Sequence, residues 1–547
     1  MAPTFKLWAA VVLKGLAQVA FAENTAAGVL VVAGIGLVSP WGALGATIGC
    51  LLGTIAGKFQ KSLSEPEWKI GLAGPNPAII GIFWGSTFAT GRTGAATLVS
   101  ALVVCIALEW MARPLLRRFR LPLLSAPAVV TAYVVNAVYS ISGESFWHVP
   151  ETTPFGNAGI LAAVLLVGGA MFTKSRVAAV QVAVLGLAFA LIAGHLLEIG
   201  GLASAGLWAF TVVPASFALH AVFLAGSAVG GWMGLLAAAI GGTIWFAWVF
   251  GPMSSIAPPL LCPFILAVWL TMVIAGRVYG TMVFDPRLWE VAQEIRCARD
   301  GGRSVVALTG AGLSTSSGIP DYVSGTWFRP GIPAKAYSFE RFLASFRCRR
   351  EYWIACDDFR RTAGNARPNL GHRALTEMER NGWLTSTITQ NVDGLHQEAG
   401  ARLVVELHGN ITGINCLSCG WTGEWPPEHL WEKYDLHCQS CSGLLKPAVI
   451  ALGERIPRGA WTAAEKAIEN CGVMMVIGSQ IAISSAANLV SKARLNHARV
   501  VINSIGKVAQ APVPKDVVVA ERAEIFLPAL AVLLDCPVPS TDKDITA

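Results

Sequence analysis

The chain has 547 residues, a hydrophobic content of 54% and a formal net charge of +7, and these averages describe neither of its halves. Residues 1–280 carry 13 lysines and arginines against 7 glutamates, and the first aspartate is Asp285, whereas residues 281–547 carry 28 basic and 27 acidic side chains. The positive balance belongs to the apolar half, and neither half shows a basic run with interleaved aromatics, so nucleic acid is not an expected partner.

The length allows more than one domain. The opening MAPTFKLWAAVVLKGLAQVAFAEN has small residues at Ala20 and Ala22, as before a signal cleavage site, but Lys14 and Gly15 interrupt its apolar core. It reads as a retained membrane segment. Apolar stretches follow at 26–57, 92–112, 124–142, 158–172, 177–197, 204–250 and 259–276. About 20 such residues cross the hydrocarbon core as a helix, because a helix satisfies every backbone group there. The charges fall between them, at Lys58, Lys61 and Lys69, at Arg113, Arg117, Arg118 and Arg120, at Lys174 and Arg176, and at Arg277. Since lysine and arginine concentrate on cytoplasmic loops, Arg277 predicts a multi-pass protein of the inner or plasma membrane whose second half lies in the cytoplasm. Glu109 and Arg113, four apart, read as an ordinary surface pair at a helix end.

A weak repeat runs through this half at an offset of about 135 residues, and self-similarity is worth finding before any fold is assigned. GLAGPNPA from Gly71 aligns with GLWAFTVV from Gly206, LPLLSAP from Leu121 with APPLLCP from Ala257, and AAGVLVVAG from Ala26 with LAAVLLVGG from Leu161. Prolines inside the apolar runs (Pro75, Pro77, Pro122, Pro127 and Pro214, Pro258, Pro259, Pro263) predict broken helices around a central pathway. With LKGLAQVAFAEN, GPNP and LPLLSAP in this order, residues 8–276 resemble the urea transporter family. The resemblance implies two inverted repeats around a narrow channel, a homotrimer, and urea or a similar small amide as solute. It places Gln18, Phe21, Asn76 and Ser125 near the pore, with Phe21 as an aromatic slot and Gln18 and Ser125 as hydrogen-bonding groups. The second half departs from the pattern: ETTPFGNAGI lacks the glutamine–phenylalanine element, Thr211 stands for Asn76 and Leu261 for Ser125. An apolar lining leaves a dehydrated amide unpaired at a cost of a few kcal/mol, so a membrane anchor with a silent pore is the alternative.

In the second half, SVVALTGAGLSTSSGIPD reads as a buried strand, a glycine turn and a helix start, with Gly310 and Gly312 allowing close backbone approach to phosphate. TQNVDGLHQEAG follows a further strand-like stretch, and VVELHGN ends another. Of the twelve cysteines, four form the pairs CLSC (Cys416, Cys419) and CQSC (Cys438, Cys441), separated by 18 residues. This spacing suits a structural zinc in a reducing cytosol rather than a disulfide framework. MMVIGSQ and VVINSIG are apolar strands with glycine or polar residues at their carboxyl ends, where open parallel sheets bind ligands.

The ordered set GAGLSTSSGIPD, PNLGH, TQNVDGLH, ELHGN, the four cysteines, GLLKPAVIALGE, GSQ and IN resembles the sirtuins, NAD-dependent protein deacylases, over residues 286–536. The resemblance implies that Gly310, Ala311, Gly312, Ser314, Ile319, Asp321 and Tyr322 line the NAD site. Gln390, Asn391 and Asp393 would hold the nicotinamide ribose and carboxamide, and Gly478, Ser479 and Asn503 the rest of the dinucleotide. Val449, Leu452, Gly453 and Glu454 would pair with an acyl-lysine protein or peptide by strand addition. His408 would be the general base, a role suited to its titration range, with Asn391 as a second catalytic residue. Three positions depart from the family: Val323 replaces a cofactor-binding arginine, Gln480 a small hydroxyl residue and Ala448 an aspartate. These departures leave room for an ADP-ribosyl transferase, an NAD-consuming effector, or a transporter regulated by NAD with little catalysis.

The expected architecture is thus an all-α polytopic membrane domain with two inverted repeats, followed by an α/β Rossmann-like domain with a small zinc-binding subdomain. The predicted bounds are 1–277 for the membrane domain, 278–285 for a linker, 286–536 for the NAD domain with its zinc subdomain at about 412–447, and 537–547 for a tail.

Overall fold

A computed structural model describes residues 2–19, 24–38, 40–60, 63, 68–69, 71–87, 92–118, 122–141, 228–252, 262–320, 337–426, 429–506 and 508–537. The chain divides into two compact units, Met1–Phe284 and Asp285–Ala547. The segments that would carry most of the second inverted repeat, including Thr211 and Leu261, lie outside the described residues, as does Phe21.

The described part of the first unit is helical: α1 (Ala2–Gln18), α2 (Thr25–Val38), α3 (Pro40–Lys58), α4 (Pro75–Thr87), α5 (Arg92–Arg118), α6 (Ala126–Ile141), α7 (Ala228–Phe250) and α8 (Cys262–Tyr279). Among the described residues, three helical segments are long and apolar enough to cross a membrane: Pro40–Lys58, Leu98–Leu116 and Cys262–Tyr279. The apolar run 26–57 is divided between α2 and α3 because a proline, lacking an N–H and fixed in φ, suits the first turn of a new helix. Glycines repeat every four residues along α3 at Gly45, Gly49, Gly53 and Gly57. That row lets α4 approach so closely that a Cβ at Gly45 would lie 2.1 Å from the Gly81 carbonyl oxygen. Small residues serve this purpose in lipid, where helices associate by packing rather than by hydrophobic burial.

The pair Glu109–Arg113 does not lie on the surface as its spacing predicted. Both side chains are buried and form an ion pair within α5, which continues through Pro114 to Arg118. The i,i+4 spacing makes them neighbours but does not say which face of the helix they occupy. That is settled by the chain break before α4, whose Leu72 carbonyl accepts a hydrogen bond from Arg113 Nη2 at 3.1 Å. Asn76, in the first turn of α4, is 2% exposed; its Nδ2 donates to the Leu124 carbonyl at 2.9 Å and its Oδ1 accepts from the Ala128 N–H at 3.4 Å. It thus closes a second break, where Leu124 adopts a left-handed φ of 48°. Breaks at this depth require such partners because no water supplies them.

The second unit begins with α9 (Pro286–Asp300), capped by Asp285. Its described residues form nine strands, β1 (Ser304–Thr309), β2 (Ser386–Thr389), β3 (Val404–Glu406), β4 (Gly409–Cys416), β5 (Thr422–Glu424), β6 (Leu445–Val449), β7 (Cys471–Ile477), β8 (Arg499–Asn503) and β9 (Val517–Val519). Six form a sheet in the order β3-β2-β1-β7-β8-β9, with every pairing parallel. This is the doubly wound arrangement in which the strand order reverses between the first strand and its central neighbour, here β1 and β7. All seven residues of β7 are buried, as a central parallel strand covered on both faces requires. On one face Val306, Leu308, Met474, Val476, Val500 and Ile502 pack with Ala464, Ile468, Ala486 and Leu489 of α14 (Arg458–Glu469) and α15 (Ser484–Leu495), numbering α10 (Phe339–Ala344), α11 (Phe346–Asn365), α12 (Leu370–Arg380) and α13 (Leu395–Glu398) before them. The last described helix is α16 (Ala523–Leu533).

A three-stranded antiparallel sheet, β5-β4-β6, forms the small subdomain. A second apolar core joins it to the larger domain through Trp353, Phe359, Val392, Ile411, Ile414, Trp431 and Val449. Trp353, Trp425 and Trp431 meet pairwise with ring centroids 5.0 to 5.6 Å apart.

Candidate active site

The strand order reverses at β1 and β7, and the loops that follow these two strands lie against one another. A Cβ on Gly312 would come within 2.8 Å of the Gly478 oxygen, and one on Gly478, whose φ is 60°, within 2.3 Å of the Leu313 nitrogen. The N–H groups of Gly310 and Gly312 donate to the Ile477 and Gly478 carbonyls at 2.9 and 2.8 Å. These glycines therefore seal the two loops together, and the expected helix start is instead two short 3-10 turns, Ala311–Leu313 and Thr315–Ser317.

The loop after β2 completes the arrangement. Asn391 Nδ2 donates to the Gly310 carbonyl and to Ser314 Oγ, both at 3.1 Å, and Ser314 Oγ donates to Asp393 Oδ2 at 2.7 Å. Asp393 also accepts from the Leu395 N–H at 3.0 Å. Its burial raises the carboxyl pKa, although both hydrogen bonds favour the charged form. Below this network, Thr309 Oγ1 meets Thr389 Oγ1 and His396 Nε2, each at 2.9 Å, tying the ends of β1 and β2. Burial pushes His396 down to about 4, and burial beside it holds His372 well below the usual histidine range. Both rings are neutral props of the loop at physiological pH.

His408 follows β3 and precedes β4. Its Nδ1 lies 3.1 Å from the Gln390 carbonyl oxygen. A carbonyl can only accept, so Nδ1 carries the proton and Nε2 is the unprotonated nitrogen of the neutral ring. Burial lowers the pKa of His408, with the Gln390 hydrogen bond opposing, and keeps the ring neutral. Gly409, at φ 76°, permits the turn beside it: a Cβ there would lie 1.9 Å from the Ala448 oxygen.

Among the described residues, two buried polar atoms around the reversal point have no partner, Gln390 Nε2 and Asn503 Oδ1. Asn503 spends its Nδ2 on the Val519 and Glu521 carbonyls, holding β9 to β8. One orphan donor and one orphan acceptor at the carboxyl ends of parallel strands suit a polar dinucleotide. Ser479 is 6% exposed, with its Oγ accepting from the Ile481 N–H, and Ile319 is buried in the second core. Asp321, Tyr322 and Val323 lie outside the described residues.

The residues assigned to peptide binding do not form one strand. Val449 ends β6 opposite Gly409 with its side chain in the second core. Leu452 is half exposed and bridges to Ser338, its carbonyl accepting from the Phe339 N–H at 2.9 Å. Glu454 turns back to accept from the Ala451 N–H at 2.7 Å and to pair with Lys446 at 3.1 Å. Lys446 escaped the sequence reading, although a lysine inside an otherwise apolar strand with a glutamate eight residues on was the signal for it.

The four cysteines meet, with all Sγ atoms within 4.8 Å of one another and the closest pairs, Cys416–Cys441 and Cys419–Cys438, at 3.5 and 3.8 Å. A tetrahedron with metal–sulfur bonds of about 2.3 Å has edges of about 3.8 Å, so the donor set fits zinc. The backbone N–H of Cys419 draws the Cys416 thiol down to about 6. Although the Gly443 N–H favours its thiolate, Cys419 and Cys416 push Cys441 up to about 12. Four thiolates this close need a cation between them.

Residues 310–485 match the family model for Sir2, and residues 9–160 match the urea transporter model. A NAD-dependent protein deacetylase of Thermodesulfovibrio yellowstonii is 38% identical over 208 residues, covering 37% of this chain and 79% of that protein. The chain belongs to the Sir2 family. NAD-dependent protein deacylase 2 of Pyrobaculum aerophilum is 37% identical over 236 residues, 42% of this chain and 90% of that protein. A crystal structure of a Sir2 homologue with NAD covers 44% of this chain and 91% of its own at 28% identity and a TM-score of 0.39. In the Sir2 unit the matched span runs from Gly310 of the first loop to Ser485 of α15. In the apolar unit, the urea transporter match and three spanning-length helices are the features of a membrane protein. Of the residues expected at its pore, Asn76 closes a break, Ser125 is buried with its Oγ lacking a partner among the described residues, and Gln18 ends α1.

Proposed function

We propose that this chain is a membrane-anchored, NAD-dependent protein-lysine deacylase joined to a urea-transporter-like channel, with residues 286–536 as the enzyme, 278–285 as linker and 537–547 as tail. The observation that carries the reading is His408, neutral and with its Nδ1–H committed to Gln390, beside the Asn391–Ser314–Asp393 network at the reversal point of the sheet. When bound, NAD supplies nicotinamide as leaving group and the ribose carbon that receives the acyl oxygen. Gly310, Ala311, Gly312, Ser314 and Ser479 would hold it from the two sealed loops, and Gln390 and Asn503 would offer it their unpartnered atoms. His408 Nε2 would take a proton from a ribose hydroxyl. Cys416, Cys419, Cys438 and Cys441 would hold zinc, which would add folding energy to a subdomain whose apolar core is shared with the larger domain.

In this reading Arg277 puts the enzyme on the cytoplasmic side. The channel part, 1–277, would be two inverted repeats in a trimer passing urea or a similar small amide through a pore that includes Gln18, Phe21, Asn76 and Ser125. Flux into liposomes holding the full chain, slowed by Gln18→Leu, tests that part; flux equal to empty liposomes would leave a membrane anchor.

The enzyme part is tested with the full chain in detergent by nicotinamide release from NAD, with and without an acetyl-lysine peptide. Peptide-dependent release is expected, and His408→Ala should lower it about 10²- to 10⁴-fold, the usual worth of a positioned base, while NAD still binds. Release that ignores the peptide would favour a non-deacylating NAD user, and turnover of His408→Ala within a few-fold of the parent would remove His408 from the role.

A further inference from the structure

Lys446 is completely buried in β6, yet its ammonium finds three acceptors: the Val449 carbonyl at 2.5 Å, the Pro447 carbonyl at 3.0 Å and the Glu454 carboxylate at 3.1 Å. An ammonium has three donors and no acceptor, so this buried charge is fully satisfied where a methionine in its place would leave Glu454 without its cation. Glu454 also accepts from the Ala451 N–H, and the Val449 carbonyl is shared with the Tyr352 hydroxyl at 3.4 Å. The segment from Val449 to Glu454 is therefore pinned at both ends by one lysine. On its other side the same segment is bonded to the catalytic candidate: the Ile450 N–H donates to the His408 carbonyl at 2.8 Å, and Val449 pairs with Gly409.

We infer that Lys446, through Glu454, is the positioning residue that sets the 449–454 segment against His408 and so governs capture of the acyl-lysine peptide. The inference rests on the deacylase reading above. Lys446 touches neither loop of the β1–β7 reversal among its hydrogen bonds, so its influence falls on the peptide rather than on the dinucleotide.

The test measures KM for an acetyl-lysine peptide, KM for NAD and kcat in the full chain, for the parent, Lys446→Met, Lys446→Arg and Glu454→Gln. Lys446→Met should raise the peptide KM at least ten-fold while the NAD KM stays within two-fold, and Lys446→Arg, which keeps the charge and the donors, should recover most of it. Glu454→Gln keeps the shape of the segment and should raise the peptide KM several-fold, so it decides the matter if Lys446→Met fails to fold. An active parent with an unchanged peptide KM in the folded variants, or with both KM values rising together, would overturn the inference alone. A parent without peptide-dependent turnover would overturn the deacylase reading and this inference with it.

Discussion

In the Sir2 unit, Lys446 is buried with an oxygen for each of its three N–H groups, whereas in the apolar unit Arg113 bonds Glu109 and the Leu72 carbonyl and keeps a buried Nε–H with no partner among the described residues. The first charge is met by two carbonyls of its own strand, β6, and by the Glu454 carboxylate that the following loop turns back. The second has its anion on its own helix, α5, and takes a carbonyl from the chain break before α4. Buried ions are tolerated in both, but in the apolar unit one ion is the main partner of the other, so removing either strands its mate.

The largest expected effect lies where a cation is expected to hold the fold beside a shared apolar core. Cys416→Ser or Cys438→Ser should unfold the four-cysteine subdomain, since structural zinc contributes on the order of 10 kcal/mol to such modules. Metal analysis of the full chain is expected to return one zinc per parent molecule and far less for the variants. A parent well below one equivalent when freshly purified and reduced would break the contrast at its root.

Next comes the pair in α5. Glu109→Leu leaves the Arg113 guanidinium buried without its anion, at an expected cost of about 3–5 kcal/mol. Alkylation of Cys105, buried one turn away on the same helix, should accelerate in detergent, and the double variant Glu109→Leu/Arg113→Leu should restore its protection. Equal rates in parent and single variant would return the pair to the surface role that its spacing suggested.

Acid should weaken the Sir2 unit through its buried histidines. His396 titrates near 6.5 when unfolded and at about 4 when folded. Its folded pKa is depressed, so the unfolded chain binds the extra proton and stability is lost as pH falls from about 6.5 toward about 4. By pH 5 the loss from this ring is about 2 kcal/mol. Asp393, whose pKa is raised by burial, works in the opposite direction. Comparing the thermal midpoint at pH 7.5 and 5 for the parent and His396→Gln isolates the ring, and a parent no more acid-sensitive than the variant would count against the neutral prop.

The smallest effect concerns a residue seen only in sequence. If Val323 marks a lost cofactor contact, Val323→Arg should lower the KM for NAD about ten-fold, the worth of one charge-assisted hydrogen bond, with little change in kcat. A KM unchanged or raised would mean that the loop has been rebuilt for a different use.

What the sequence by itself determined is the chemistry written in short spacings. The Cys416-x-x-Cys419 and Cys438-x-x-Cys441 pairs were legible as one donor set because their short spacing already limits where the side chains can go, whereas the base role of His408 and the cofactor role of the glycines in GAGLSTSSG and GSQ are proposals for the assays above. The existence of apolar helices was equally plain, since composition alone decides whether a segment can enter lipid. Tertiary structure alone decided which groups meet across distance. Gly310 and Gly312 face the Gly478 loop rather than offering their own amides, Arg113 reaches a carbonyl 41 residues away, and Tyr352 reaches the Val449 carbonyl from 97 residues away. A helical or strand period fixes neighbours on one element but leaves open which other element covers that face. The partners of Lys446, Asn76 and Glu109 were therefore chosen by packing, not by local sequence.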